Sequence, residues 1–133
     1  LVRVAQPGEL VAVNVVGYLA VLRVVMEQFR DKLLEEPYIA RLVADGNANG
    51  PTGTPWHFFR AGELRDLAER CGLATITMAG CEGLSTGMVA ATNTVAEDAA
   101  QWQKWVEIVL RTSTDPGVVE MAEHILYLGR KGA

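Results

Sequence analysis

The fold class is decided by the stretch Glu9-Leu10-Val11-Ala12-Val13-Asn14-Val15-Val16. This stretch follows the turn-forming pair Pro7-Gly8 and ends at Gly17. A short valine-rich run between turn residues is typical of a strand that is buried on both faces, as in a parallel sheet covered by helices. The run therefore predicts an α/β architecture.

Three segments after this strand have the periodicity of amphipathic helices. In residues 18–36, apolar side chains recur at steps of three and four, and Pro37 is expected to end the helix. A second helix is predicted over residues 61–70. The third stripe is predicted to pack into the core, and it consists of Trp102, Trp105, Val106, Val109 and Leu110.

Two further strands and two loops complete the predicted order of elements. Residues 73–79 alternate weakly, and residues 125–128 form the last strand. The segment 45–55, DGNANGPTGTP, is predicted to be a flexible loop, because its glycines follow no strand and open no helix. Residues 80–94 are also predicted to be a loop.

Length and composition are ordinary for one soluble domain spanning residues 1–133. Half of the residues are apolar, 21% are charged and the net charge is −4. The basic residues are dispersed, which argues against a nucleic-acid surface. The longest apolar run near the N-terminus is far shorter than the roughly 20 residues of a membrane span. The two cysteines lack zinc-site spacing, so no metal is expected, and free thiols favour a cytoplasmic location.

Three stretches, in the same order along the chain, resemble class I S-adenosylmethionine-dependent methyltransferases. Residues 3–13, RVAQPGELVAV, resemble the family's fifth strand and the turn before it, with Glu9 replacing the usual second glycine. Residues 57–73 are similar to the family's helix pattern F-[ST]-x-x-E-L-x-x-L-x-x-x-A-G-F. Residues 123–131 resemble its final strand.

The resemblance implies that the chain is the C-terminal half of a Rossmann-like methyltransferase sheet with helical insertions. Its strands would lie in the order 5-7-6, with the last strand central and antiparallel to both neighbours. S-adenosylmethionine would be bound mainly by an N-terminal half preceding Leu1, where no initiator methionine stands. The chain would be inactive alone and would act on a small-molecule acceptor. No residue of this chain is assigned to the cofactor.

Under the same interpretation, one edge of the strand Leu10–Val16 is unpaired, because the family's fourth strand would lie in the missing half. Unpaired apolar edges attract other chains. We expect this edge to pair with the missing N-terminal half, to pair with a second copy of the chain, or to aggregate.

The candidate site follows from the sheet order, because ligands of open α/β sheets bind beyond the carboxyl ends of the parallel strands. Residues 16–18, residues 80–85 and the pair Glu123-His124 would converge there. His124 is predicted to be catalytic, as a general base or hydrogen-bond partner of the acceptor, since imidazole titrates near neutrality. The residues predicted to bind the acceptor are Tyr18, Arg23, His57, Arg60, Glu82 and Ser85.

Each candidate also has a structural interpretation. His124 could cap the end of a strand, Glu82 could be a solvated loop acid, and the aromatic residues around His57 could anchor the core. Cys81 lacks a paired base in the sequence and is disfavoured as a nucleophile. Cys71 is expected in the core.

Two other functions remain open from the sequence. A non-catalytic α/β binding or interaction domain, derived from the methyltransferase fold, would use the helix stripes and residues 45–55 for a partner. A hydrolase or oxidoreductase half-domain is disfavoured, because the chain has no nucleophile elbow and no dinucleotide fingerprint.

Overall fold

The computed structural model describes residues 2–50 and 52–132. It is a mixed α/β structure with a three-stranded antiparallel sheet and a two-stranded sheet. In chain order the elements are β1 (Leu10–Val16), α1 (Tyr18–Gln28), a first 3-10 helix (Arg30–Leu34), α2 (Glu36–Asp45), β2 (Asn47–Asn49), β3 (Pro55–His57), α3 (Ala61–Arg70), β4 (Leu73–Gly80), a second 3-10 helix (Gly83–Ser85), α4 (Val89–Ala96), α5 (Ala99–Thr112), α6 (Pro116–Met121) and β5 (His124–Lys131). Among the described residues, no helix has the length and apolar character needed to cross a bilayer.

The larger sheet has the strand order β1-β5-β4. The last strand lies in the middle and runs antiparallel to both neighbours, as expected. Its pairing with β1 runs without interruption from Leu10 opposite Arg130 to Val16 opposite His124. The pairing with β4 is interrupted by a register shift between Thr75 and Thr77. Residues distant in sequence are thereby brought together at both ends of β5.

Helices cover one face of this sheet. The core on that face contains residues of all three strands together with residues of α3 and α6, namely Val11, Leu73, Ile125, Tyr127, Leu64, Ala68 and Val119. On β1, residues Leu10 and Val16 belong to the other face and are exposed. The prediction that β1 is buried on both faces is therefore wrong for the described chain, because its alternate residues meet no second layer.

A second core lies beside the sheet and includes residues predicted to be a loop. It contains Tyr18, Val25, Leu42, Ala48 and Phe58. The segment 45–55 contains β2, which pairs with β3 (Pro55–His57) in an antiparallel hairpin; residue 51 lies outside the described residues. Gly46 ends α2 with φ of 72° and turns the chain directly into β2. The loop prediction missed this pairing because polar and glycine residues dominate the hairpin.

Two helix boundaries also differ from the prediction. The helix predicted over residues 18–36 is divided into α1 and the first 3-10 helix. Pro37 lies in the first turn of α2 instead of ending a helix, since proline is tolerated where a backbone N–H has no intrahelical acceptor. Residues 80–94, predicted to be a loop, contain the second 3-10 helix and most of α4.

The stripe of α5 is less buried than its pattern suggests. The helix forms as predicted, and the carboxylate of Asp98 accepts hydrogen bonds from the N–H groups of Ala100 and Gln101, both at 2.9 Å. None of its residues is fully buried, and Trp102 is 41% exposed. Cys71, expected in the core, is exposed because it follows α3 as its C-terminal cap.

Gly17 is a position where the fold requires a glycine. A Cβ there would overlap the carbonyl oxygen of Ala122. We expect Gly17→Ala to lower the free energy of unfolding by about 1–3 kcal/mol, through backbone displacement. The matched control is Gly62→Ala in α3, where a Cβ meets no described atom of another element within 4 Å and helix propensity adds roughly 0.5–1 kcal/mol. Urea unfolding measures both, and equal midpoints for the two variants would contradict the assignment.

Candidate functional site

Three chain segments meet at one end of the larger sheet. Val16, the last residue of β1, lies opposite His124, the first residue of β5. The N–H of Gly17 donates to the carbonyl of Glu123 at 2.9 Å, and the N–H of Cys81 donates to the carbonyl of His124 at 2.9 Å. The ends of β1 and β4 and the start of β5 thus form the rim expected from the strand order.

Glu82 and His124 form a hydrogen-bonded pair on this rim. Oε1 of Glu82 lies 2.5 Å from the ring Nδ1 of His124, and Oε2 accepts the backbone N–H of His124 at 3.0 Å. One carboxylate therefore holds both the ring and the main chain of a residue 42 positions away. The His124 side chain is 47% exposed, and its Nε2 makes no hydrogen bond to the described residues.

The charge of Glu82 is favoured in this environment. Partial burial would raise the pKa of Glu82, but the hydrogen bonds from the ring and backbone of His124 outweigh burial and lower the pKa below its ordinary value of 4.5. An ionised carboxylate at Nδ1 favours the tautomer that carries its proton on Nδ1. Nε2 then carries the free lone pair of a base.

Cys81 lies beside this pair but is not activated. Its Sγ accepts a hydrogen bond from Nδ2 of Asn14 at 3.6 Å. Burial, and next the negative charge of Glu82, raise the pKa of the Cys81 thiol above 9.0. The thiol form dominates near neutrality, which leaves no support for Cys81 as a nucleophile.

Arg23 links α1 to the residue before β5, and the protein covers most of its side chain. Its Nη2 lies 3.2 Å from Oε1 of Glu123, the residue before His124, and its Nε lies 3.6 Å from Oε1 of Glu27. A Cβ on Gly87 would be 2.8 Å from this Nε. The Arg23 side chain is only 21% exposed, so it positions the start of β5 against α1. This geometry makes Arg23 a poor candidate for direct contact with an acceptor.

Ser85 also makes an internal contact. Its Oγ accepts a hydrogen bond from Nε1 of Trp105 at 2.8 Å. This bond joins the second 3-10 helix to α5 and satisfies the polar atom of a partly buried indole. Ser85 therefore contributes to the shape of the rim.

Tyr18 and Arg60 belong to a second group of candidate residues. Tyr18 is buried, and its hydroxyl donates to the carbonyl of Val43 at 2.8 Å. The guanidinium of Arg60 lies 4.0 Å from the centre of the Tyr18 ring, a cation–π contact. Both residues line a small cavity of about 280 Å³ together with Phe58 and Glu63.

His57 borders this second group and has both ring nitrogens engaged. Nδ1 lies 2.8 Å from Oδ1 of Asn47, and Nε2 lies 2.8 Å from Oε1 of Glu63. Its ring packs edge-to-face against Phe59 at 4.5 Å. These contacts fasten the hairpin to α3 and leave no ring nitrogen free to act as a base.

The sequence analysis did not identify Asn14 as part of the site's supporting structure, and it placed Glu123 on the rim without its partner Arg23. The alternation along β1 places Asn14 and Val16 on the same exposed face, and that period of two was a usable signal. No sequence signal pairs Glu123 with Arg23, which lies 100 positions away.

In the family that the sequence resembles, a glycine turn after a strand holds S-adenosylmethionine. Gly17 and Gly83 follow strands, but the space beside Gly17 is filled by Ala122 and that beside Gly83 by Val109. Gly46, Gly50 and Gly53 belong to the hairpin region or border it. The turns at Gly17 and Gly83 therefore leave no space for close approach of a ligand, whereas a Cβ on Gly53 would meet no atom of the described residues within 4 Å. Within the described residues, no group of three His, Cys, Asp or Glu side chains could hold a metal ion.

Comparisons of the chain with models of protein families and with characterised proteins give no match.

The pair Glu82–His124 should leave a pH signature in stability. Because the folded-state pKa of Glu82 is lowered, its carboxylate stabilises the fold above pH 4.5, and this contribution is lost as pH falls through the lowered pKa. We expect about 1 kcal/mol, after allowance for solvent screening of a partly exposed pair. Urea unfolding across this pH range should show a steeper loss for the native chain than for Glu82→Gln, while other carboxylates affect both alike. Parallel curves would contradict the pairing.

Arg23 should control the geometry of His124 without touching it. Removing the guanidinium in Arg23→Gln frees Glu123 and should weaken the contact between Glu82 and the His124 ring. Nitrogen-detected NMR is suited to this test, because the chain has only two histidines. We expect the Nδ1-protonated tautomer of His124 to lose population, with the signals of His57 unchanged as an internal control. Recovery in Arg23→Lys would support the ion pair, whereas an unchanged His124 spectrum in Arg23→Gln would exclude the positioning role.

Proposed function

We propose that this chain supplies the acceptor side of an S-adenosylmethionine-dependent methyltransferase, with His124 as the general base. The observation that carries the proposal is the Glu82–His124 pair, on the rim where β1 and β4 end and β5 begins. The strand order β1-β5-β4, with β5 antiparallel to both neighbours, supports the finer assignment to strands 5-7-6 of a Rossmann-like sheet.

The chemistry proposed for this chain is the removal of a proton from the acceptor. Glu82 accepts the hydrogen bond from Nδ1–H of His124 and orients the ring, and Nε2 receives the proton of an acceptor group placed on the exposed side. The carboxylate also stabilises the imidazolium formed in this step. A methyl acceptor becomes a stronger nucleophile when its proton leaves, which is the contribution of a general base.

Donor binding is assigned in this proposal to residues that precede Leu1. The free edge of β1 is where such a half would attach. The carbonyl of Glu9 accepts the N–H of Lys131 in β5, and the N–H of Gly17 donates to the carbonyl of Glu123, just before β5. The alternation of an antiparallel ladder therefore turns the N–H and C=O groups of the even-numbered residues of β1 outward. Phe59 already pairs with the end of this edge. Its N–H donates to the carbonyl of Val16 at 3.0 Å, and it forms a parallel bridge with Gly17. A strand from an N-terminal half, or from a second copy, would continue along Leu10–Val16.

The alternative is a non-catalytic α/β binding domain. Its support is the sheet face that no described helix covers, where Leu10, Val16 and Ile76 are exposed. Such a domain would need no cofactor half. For either function we propose a cytoplasmic location, because both cysteines are free.

The coding sequence upstream of Leu1 is the first test. The methyltransferase proposal expects about 100 preceding residues with a strand, a Gly-x-Gly turn that opens a helix, and an acidic residue about 20 positions later. A start codon directly before Leu1 would favour the binding domain instead.

The second test measures methyl transfer in the protein that includes any such upstream half. We expect His124→Asn to lower kcat by roughly 10²-fold or more, the usual contribution of a general base, and Glu82→Gln to lower it less. His57→Asn is the matched control, since both nitrogens of that ring are engaged inside the protein. Equal kcat for His124→Asn and the native protein would exclude the base assigned here.

A further inference from the structure

A second concave surface lies away from the Glu82–His124 pair. It is a cleft of about 860 Å³ between the first 3-10 helix, the start of α2 and the β2–β3 hairpin. This volume is within the range of roughly 300–1,000 Å³ that small-molecule sites occupy. The side chains that determine its chemistry are Phe29, Lys32, Glu35, Tyr38, Arg41 and Trp56.

The apolar part of the cleft is an aromatic surface held in place by the hairpin. Trp56 is 48% exposed and Phe29 is 49% exposed, although both are large apolar side chains. The indole of Trp56 lies so close to Gly50 that a Cβ there would be 2.7 Å from two ring carbons. Trp56 also packs edge-to-face against Phe58 at 6.2 Å. A rigid, exposed ring of this kind offers its surface to a flat ligand at little cost in conformational entropy.

The charges in the cleft leave one cation available. Nζ of Lys32 is engaged with Oε1 of Glu35 at 2.7 Å. Glu36, in the first turn of α2, is stabilised by the partial positive charge of the helix N-terminus. Asp45, one turn after Arg41, accepts the N–H of Asn47 at 3.0 Å. Within the described residues, the guanidinium of Arg41 has neither an ion pair nor a hydrogen bond.

We infer that this cleft binds a small planar aromatic anion, such as an aryl carboxylate. The aromatic rings of Trp56 and Phe29 contact the flat part of the ligand, and Arg41 pairs with its carboxylate through the fork of its guanidinium. The inference does not depend on the proposed methyl transfer, because it rests on residues of the first 3-10 helix, α2 and the hairpin alone.

Isothermal titration calorimetry of the full chain with naphthoate, and with the uncharged naphthylmethanol, tests this inference. We expect saturable binding of naphthoate, and weaker binding of the alcohol by about tenfold, the equivalent of one charge-assisted contact. Arg41→Gln should abolish the preference for the anion and leave the affinity for the alcohol unchanged. Arg65→Gln, which removes an exposed guanidinium on α3 outside the cleft, should change neither affinity.

Two variants examine the aromatic surface. Trp56→Ala should weaken binding of both probes by about tenfold, the loss expected for one aromatic contact. Gly50→Ala keeps the indole but forces it to move, so it should also weaken both probes; it covers the case in which Trp56→Ala does not fold. Absence of saturable binding by the native chain, or equal naphthoate affinity in the native chain, Gly50→Ala and Arg41→Gln, would overturn the inference.

Discussion

The backbone hydrogen bonds of β5 with β1 on one side and β4 on the other hold the larger sheet together and place the ends of its strands. They join the first and last described strands, which are separated by more than a hundred residues. Because β5 starts where β1 and β4 end, the same bonds place His124 beside Val16 and Glu82. The candidate site is therefore a consequence of one antiparallel strand inserted between two strands of the opposite direction.

In the described chain, helices pack against only one face of this sheet. Its covered face joins α3 and α6 in one core, whereas alternate residues of β1 and β4 remain exposed on the other face. A β-sheet is ordinarily covered on its apolar faces, and exposed apolar surface of this kind marks interaction sites. A further layer of protein would cover the open face, and a further strand would pair with the free edge of β1. Under the proposed function, an N-terminal half, a second copy or another partner would supply them.

Electrostatics give the rim its chemical character. The two hydrogen bonds from His124 to Glu82 are charge-assisted on the carboxylate side and outweigh the cost of its partial burial. Burial, and next the negative charge of Glu82, raise the pKa of the neighbouring Cys81 thiol, so this thiol stays protonated near neutrality. The ion pair between Arg23 and Glu123 holds the residue before His124 against α1. The hairpin and its cleft form a separate region with its own aromatic surface.

Hydrophobic periodicity and turn residues are local signals, and from them the sequence predicts the three strands of the larger sheet, the helix Ala61–Arg70 and the helix of the tryptophan stripe. The rim with His124 and Glu82 was expected from the resemblance to class I methyltransferases, which implies the strand order, and not from these local signals. Only the tertiary structure pairs Asn47–Asn49 with Pro55–His57 as a hairpin and divides the helix expected over residues 18–36 into α1 and a 3-10 helix. It also decided that Arg23, Ser85 and His57 bond within the protein. Their partners lie up to 100 residues away, and no local pattern encodes which polar groups meet when separate elements pack.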